Sequence, residues 1–226
     1  MTVLRAKIEH EVAGFRLDVS IEASRGVTVL HGPSGSGKST TLSIIAGLTR
    51  PDRGTVSLGD EVWLDSAAGT VRPVHQRRVA YVFQSLALFP HMTAEENVAY
   101  GMPRGQPDRM QTARTWLERF RVAHLAGRHP PTFSGGEAQR VALARAFAMS
   151  PRLVLMDEPF SALDRKLRTE LLAEVKTRVA ELGVPTLFVT HHRREVVALA
   201  DRVVVFDHGK VARTGGLEVL DDDGDD

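Results

Sequence analysis

Gly32-Pro33-Ser34-Gly35-Ser36-Gly37-Lys38-Ser39-Thr40 is the stretch that decides how the rest of the chain is read. It fits G-x-x-x-x-G-K-[ST] at every fixed position, the pattern of a phosphate-binding loop. Just upstream, residues 27–30 form a short, mostly apolar run that reads as a buried strand. Downstream, residues 39–48 carry Leu42, Ile45, Ala46 and Leu48 at helical spacing. The loop therefore sits between a strand and a helix, the context in which the motif has a mechanism. Its glycines let the backbone curl so that successive N–H groups face one anion, and the helix N-terminus adds partial positive charge. Lys38 is placed to reach β- and γ-phosphates, and Ser39 to offer a hydroxyl to Mg²⁺. An ordinary Gly/Ser turn accounts for neither the complete match nor the flanks.

The bulk numbers are those of an ordinary globular chain. It has 226 residues, 42% hydrophobic and 25% charged. A net charge of +1 gives no bulk argument for nucleic acid or an anionic membrane surface. Absence of cysteine excludes disulfides, cysteine zinc sites and thiol catalysis, and fits a cytoplasmic protein. No run approaches the ~18 apolar residues of a membrane span, and the N-terminus carries no signal-peptide apolar core. If the protein works at a membrane, the expectation is a peripheral subunit.

Along the chain, residues 1–30 read as strands, with Phe15, Leu17, Val19 and Ile21 alternating with polar residues. Phe15 is a candidate to stack on an adenine ring, and a core aromatic is the competing reading. Residues 55–58 and 62–64 are short strands, 66–78 a polar loop containing Arg72, Arg77 and Arg78, and 79–83 an apolar strand ending at Gln84. Residues of about 85–150 read as a mostly helical insert. It holds a capping box at Thr93/Glu96, a helix with Met110, Ala113, Leu117 and Phe120 on one face, and a second capping box at Ser134/Glu137. The apolar loop 86–90 is a liability if exposed, which favours a partner over packing within the insert. Residues 153–156 are an apolar strand, 163–182 a long helix stopped by Gly183, 186–189 a strand reaching Thr190-His191, and 195–200 a short helix. Residues 203–206 and 211–213 make a hairpin, and 221–226 reads as a solvated, disordered acidic tail.

Two further elements carry chemistry. Asp157-Glu158 closes the apolar strand. A carboxylate at the first position orients Mg²⁺ beside Ser39, and one at the second can orient, or accept a proton from, a water attacking the γ-phosphate. Ser134-Gly135-Gly136-Glu137 places a hydroxyl and two glycines at a helix N-terminus, a second phosphate-binding element beside the plain capping-box reading. Two such elements in one chain suggest that the loop of one protomer and the Ser-Gly-Gly of another close on one nucleotide.

These motifs, in this order, resemble the nucleotide-binding subunit of an ATP-binding cassette (ABC) transporter: GPSGSGKST at 32–40, VFQ ending at Gln84, FSGGE at 133–137, LVLMDEP at 153–159, SALD at 161–164 and VTH ending at His191. The resemblance covers residues 1–220. It implies an α/β fold: a phosphate-loop NTPase core with a parallel sheet, an N-terminal antiparallel β subdomain and an inserted α-helical subdomain at about 85–150. It implies an ATPase with ATP and Mg²⁺ as cofactors. Gln84 would sense Mg²⁺ or the attacking water and couple the site to the membrane subunit, Asp164 would lie in the loop that meets the partner protomer, and His191 would contact the γ-phosphate and hold Glu158. The implied partners are a second copy of the chain, head to tail, integral membrane permease subunits and, indirectly, a solute-binding protein, at the cytoplasmic face of the membrane and without nucleic acid.

The chain departs from the family pattern in places. Phe133 and Glu137 stand where Leu and Gln are commonest, which puts Glu137 in doubt as a phosphate ligand, and His192 follows the switch histidine where an acid is frequent. No Tyr or Trp holds a clear adenine-stacking position. Segment 88–101 is similar to prokaryotic importer subunits, especially those for oxyanions or polyamines, and the short lead-in before the phosphate loop, with segments 47–51, 77–84 and 134–137, most resembles molybdate importers. Those often carry a C-terminal accessory domain, and with the sequence ending near 220 its regulation is expected to be absent. Another solute (polyamine, sulfate or iron), a non-transport cassette ATPase and a phosphate-loop kinase remain the alternatives.

Overall fold

The computed structural model describes residues 2–12, 14–103, 105–161 and 163–220; the acidic segment 221–226 lies outside them. Eleven strands form one sheet. In chain order they are β1 (Leu4–Val12), β2 (Phe15–Ala23), β3 (Gly26–His31), β4 (Arg53–Leu58), β5 (Glu61–Asp65), β6 (Thr70–Val71), β7 (Val79–Val82), β8 (Leu153–Asp157), β9 (Pro185–Val189), β10 (Arg202–Asp207) and β11 (Lys210–Gly215). Their spatial order is β6-β5-β4-β1-β2-β11-β10-β3-β9-β8-β7. The run β10-β3-β9-β8-β7 is parallel. The run β6-β5-β4-β1-β2 is antiparallel.

The helices are α1 (Lys38–Ala46), α2 (Val74–Arg77), α3 (Ala94–Tyr100), α4 (Arg109–Arg119), α5 (Gly135–Ala148), α6 (Arg165–Leu182) and α7 (Arg193–Leu199). The parallel strands are apolar on both faces because both faces are covered. Val27, Val29, Val154, Met156 and Phe188 look toward the cluster built with α5, α6 and the helical insert. Their neighbours Leu30, Leu153, Leu155, Leu187 and Val189 look the other way, toward α1 and the antiparallel strands. The strand period of two performs this division. In the insert, Trp116, Phe120 and Phe147 join α4 to α5, with ring centres 5.8–6.4 Å apart.

Local signals explain most boundaries. Both expected capping boxes close, at Thr93/Glu96 and Ser134/Glu137. Gly47 ends α1 in the left-handed region at φ 85°, and the Leu48 N–H returns to Ser43 O at 2.9 Å. Gly183 ends α6 in the same region.

Three expectations are corrected. The long helix begins at Arg165 rather than 163, because the Asp164 carboxylate accepts from the N–H groups of Lys166 and Leu167, each at 3.0 Å, and so stands outside the helix as its cap. Met110 is 44% exposed, at the edge of the α4 face that buries Ala113 and Leu117. The polar loop 66–78 contains β6 and α2, and its Arg77 is buried at 1% exposure. Arg77 donates to Ile45 O (2.8 Å), Trp63 O (3.2 Å) and Arg72 O (3.0 Å), so it caps the C-terminal carbonyls of α1.

Candidate functional site

The C-terminal ends of β3, β8 and β9 point to one place, where crevices form in parallel sheets. From β3 the chain turns through Gly32 (φ 144°), Gly35 (φ 80°) and Gly37 (φ 99°) into α1. At Gly37 the loop is also tightly packed, since a Cβ there would come 2.5 Å from Leu17 Cδ1 and 3.2 Å from the Phe15 ring. Lys38 is buried, and its ammonium donates to Gly32 O (2.9 Å), Pro33 O (2.6 Å) and Ser36 Oγ (3.1 Å). Burial lowers its pKa, against the pull of Glu158 and Asp157.

From β8, Asp157 reaches the loop: Ser39 Oγ donates to Asp157 Oδ1 at 2.9 Å. Desolvation raises the pKa of Asp157, with Ser39 and Tyr81 opposing, and the Tyr81 hydroxyl lies 3.4 Å from Oδ2. Glu158 follows at φ 43°, a left-handed value that residues with a Cβ rarely adopt. Its N–H is held by Val189 O at 3.1 Å, so the turn is fixed by the neighbouring strand. From β9, His191 Nδ1 meets Glu158 Oε1 at 3.1 Å. Behind it Thr190 donates to the buried Glu195 (2.7 Å) and accepts from the His192 N–H (3.0 Å), while Arg168 stands 3.5 Å from the same carboxylate.

A cavity of about 500 Å³ joins these parts, lined by Val12, Phe15, Ser34, Gly35, Gly37, Lys38, Ser39, Thr40, Gln84 and Glu158. Phe15 and Gln84 thus line the cavity together with Glu158, whereas Asp157 and His191 are not among its lining residues. Ser134, Gly135, Gly136 and Glu137 do not line it, and neither does Asp164. Those lie together elsewhere: a Cβ on Gly136 would fall 2.3 Å from Leu167 Cδ2, so the start of α5 packs on the start of α6, beside Asp164.

Glu137 is turned back on its own helix. Its carboxylate accepts from the Ser134 N–H and hydroxyl, each at 2.8 Å, and faces His124 at 3.0 Å. The Ser134 N–H, then His124 and the Ser134 hydroxyl, hold its pKa down at about 2. His124, Tyr81, Glu195 and Arg168 were not legible as parts of these networks in the sequence. Tyr81 and Arg168 come from segments distant from their partners, and although Glu195 is only five residues from Thr190, no motif marks it or His124.

The donors suit the ligands that the motifs imply. A curled backbone that leaves no room for a Cβ at Gly32 or Gly37 fits a polyphosphate. A serine hydroxyl beside one carboxylate fits Mg²⁺, which is usually held by one or two protein oxygens together with phosphate and water. Among the described residues, no group of three or more His, Asp or Glu could hold a metal without such help.

A phosphate loop, strand-end carboxylates and a helical insert bearing a second glycine-rich helix start together define a nucleotide-binding cassette. Residues 16–161 match the ABC transporter family, and the chain belongs to it. It is 45% identical over 219 residues to "Molybdenum import ATP-binding protein ModC 1" of Azotobacter vinelandii, covering 95% of this chain and 60% of that protein. It is 42% identical over 218 residues to "Molybdate/tungstate import ATP-binding protein WtpC" of Archaeoglobus fulgidus, covering 96% and 88%. Among solved structures it resembles a dimeric post-hydrolysis state of an ATP-binding cassette bound to ADP and Pi, with a TM-score of 0.80 and 30% identity over 95% of this chain and 98% of that one. The chain spans about 60% of the length of the Azotobacter relative.

Proposed function

We propose that the chain is the ATP-hydrolysing, nucleotide-binding subunit of an importer for molybdate or a related oxyanion. The observation that carries the hydrolytic reading is the contact at 3.1 Å between His191 and Glu158, the latter a lining residue of the phosphate-loop cavity. Lys38 and the loop amides bind the phosphates. Ser39 and Asp157 would hold Mg²⁺, which would supply neutralisation of the phosphate charge. Glu158 orients the attacking water and takes its proton, Gln84 faces that water or the metal, and His191 fixes Glu158 and contacts the γ-phosphate.

Ser134, Gly135 and Gly136 complete the site of a second copy, arranged head to tail, with Asp164 at the shared face. The dimeric cassette among the similar structures supports this arrangement. Membrane permease subunits, fed by a solute-binding protein, are the further partners, and the half-buried loop 86–90, whose Leu88 packs on the core, receives a helix from them at the cytoplasmic face of the membrane. No described helix is long and apolar enough to cross a membrane. The solute reading rests on the resemblance to the molybdate and molybdate/tungstate relatives.

The test is sizing of Glu158→Gln with and without Mg·ATP. The expected result is an ATP-dependent dimer that Ser134→Arg abolishes. ATP binding without dimerisation, with the permease subunits present, removes the shared site. For the solute, uptake of molybdate, sulfate and spermidine into vesicles reconstituted with the permease separates the candidates, and equal uptake of all three overturns the oxyanion assignment.

A further inference from the structure

Directly after Gln84 the backbone turns through two left-handed residues in succession, Leu86 at φ 60° and Ala87 at φ 47°. Both carry a Cβ, so the turn is unfavourable alone and must be held from outside. One guanidinium holds it. Arg145 Nη2 donates to Leu86 O and Nη1 to Ala87 O, each at 2.7 Å. The same group lies 5.6 Å from the centre of the Phe89 ring. Burial lowers the pKa of Arg145, and its plane is committed to the loop carbonyls.

The far end of the loop is gripped separately. Buried Asn97 accepts from Phe89 N–H at 2.9 Å and donates to Phe89 O (3.1 Å) and Met92 O (3.0 Å). The two grips come from different helices. Asn97 is on α3, next to the loop in sequence. Arg145 is on α5, ten residues or about 15 Å along the helix that begins at Gly135. A helix is stiff over that length, so displacing its start displaces the guanidinium. The near end of the loop therefore follows α5, while its other side is Gln84 on the cavity wall.

We propose that Arg145 is a positioning residue, tying the loop 86–90 to the helix that starts at Ser134-Gly135-Gly136, so that closure of this helix start on a partner's nucleotide and the pose of the loop offered to the membrane subunit change together. This rests on the shared-site reading above. Stability alone would explain two hydrogen bonds. It would not make the loop respond to nucleotide.

The experiment is hydrogen exchange on the Glu158→Gln chain with and without Mg·ATP, followed at residues 134–138 and 86–90, with sizing run in parallel. The loop amides of Leu86 and Ala87 are bonded to Phe83 O (2.9 Å) and Ser85 O (2.7 Å), so their protection reports the turn. With Arg145 present, ATP is expected to change exchange in both segments. Adding Arg145→Met should preserve dimerisation and the change at 134–138, raise exchange at 86–90 by about tenfold, and abolish its dependence on ATP. Arg145→Lys, which brings one ammonium in place of a two-armed donor, should fall between and covers the case in which Met does not fold. A dimer that forms on ATP with an unresponsive loop in the Arg145 protein overturns the inference alone, as does an Arg145→Met loop that still responds. Failure of any dimer to form, with the permease subunits present, overturns the shared site beneath it.

Discussion

His124 Nε2 lies 3.0 Å from Glu137 Oε1, while Glu137 Oε2 accepts both the N–H and the hydroxyl of Ser134. The carboxylate that breaks the family pattern is therefore committed to its own helix start rather than presented to a phosphate. In the same geometry the Ser134 hydroxyl points its proton at Glu137, and an incoming phosphate must compete for it.

This contact has a pH signature. Glu137 is held at about 2, below its usual 4.5, so the ionised form is favoured in the folded chain. Its contribution is fully present above pH 4.5 and is lost as the pH falls toward 2. Glu137→Gln keeps a capping box, since glutamine serves at that position. The expected outcome is a melting temperature near that of the parent at pH 7 and a flatter decline in acid, measured by calorimetry across that range.

Glu158 and His191 are in contact at 3.1 Å, and the proposed function has them act as one unit. Glu158→Gln is expected to lower ATP turnover by roughly 10²-fold or more. His191→Ala should also lower it, with nucleotide affinity little changed in both. The double variant should be scarcely slower than Glu158→Gln, because removing the orienter matters only while the oriented group is present. Additive losses in steady-state assays would place His191 in a separate role.

Phe15 borders the cavity, and its ring touches the space beside Gly37. If it stacks on adenine, Phe15→Ala should weaken ATP by roughly tenfold and leave tripolyphosphate unaffected, while Phe15→Tyr restores ATP. Equal weakening of both ligands in calorimetric titrations would return Phe15 to a packing role.

Arg77 is buried, pairs with no carboxylate among the described residues, and holds the last carbonyls of α1 to Trp63 O. Arg77→Met leaves those carbonyls unsatisfied and should lower unfolding stability by about 2–4 kcal/mol. Arg77→Lys should recover only part of this, because one ammonium cannot reproduce the fork. Urea unfolding of the three proteins decides it.

Local chemistry was legible in the amino-acid sequence wherever the interacting groups lie within one or two turns of chain. The phosphate loop between β3 and α1, both capping boxes, the Gly47 and Gly183 stops and the apolar strand ending in Asp157-Glu158 all have this short range. The order of motifs then identified the family. What only the tertiary structure decided is which side chain meets which across the chain. The 119-residue interval between Ser39 and Glu158 carries no information about distance, yet the parallel pairing of β8 with β9, and of β9 with β3, brings their ends together. The same holds for Arg77, which reads as a polar loop residue until the end of α1 supplies its acceptors, and for Arg145, whose two carbonyls come from a loop nearly sixty residues earlier in the chain. A hydrogen bond needs a few ångströms in space and places no limit on separation in sequence, so such partners become visible only when the sheet has set them side by side.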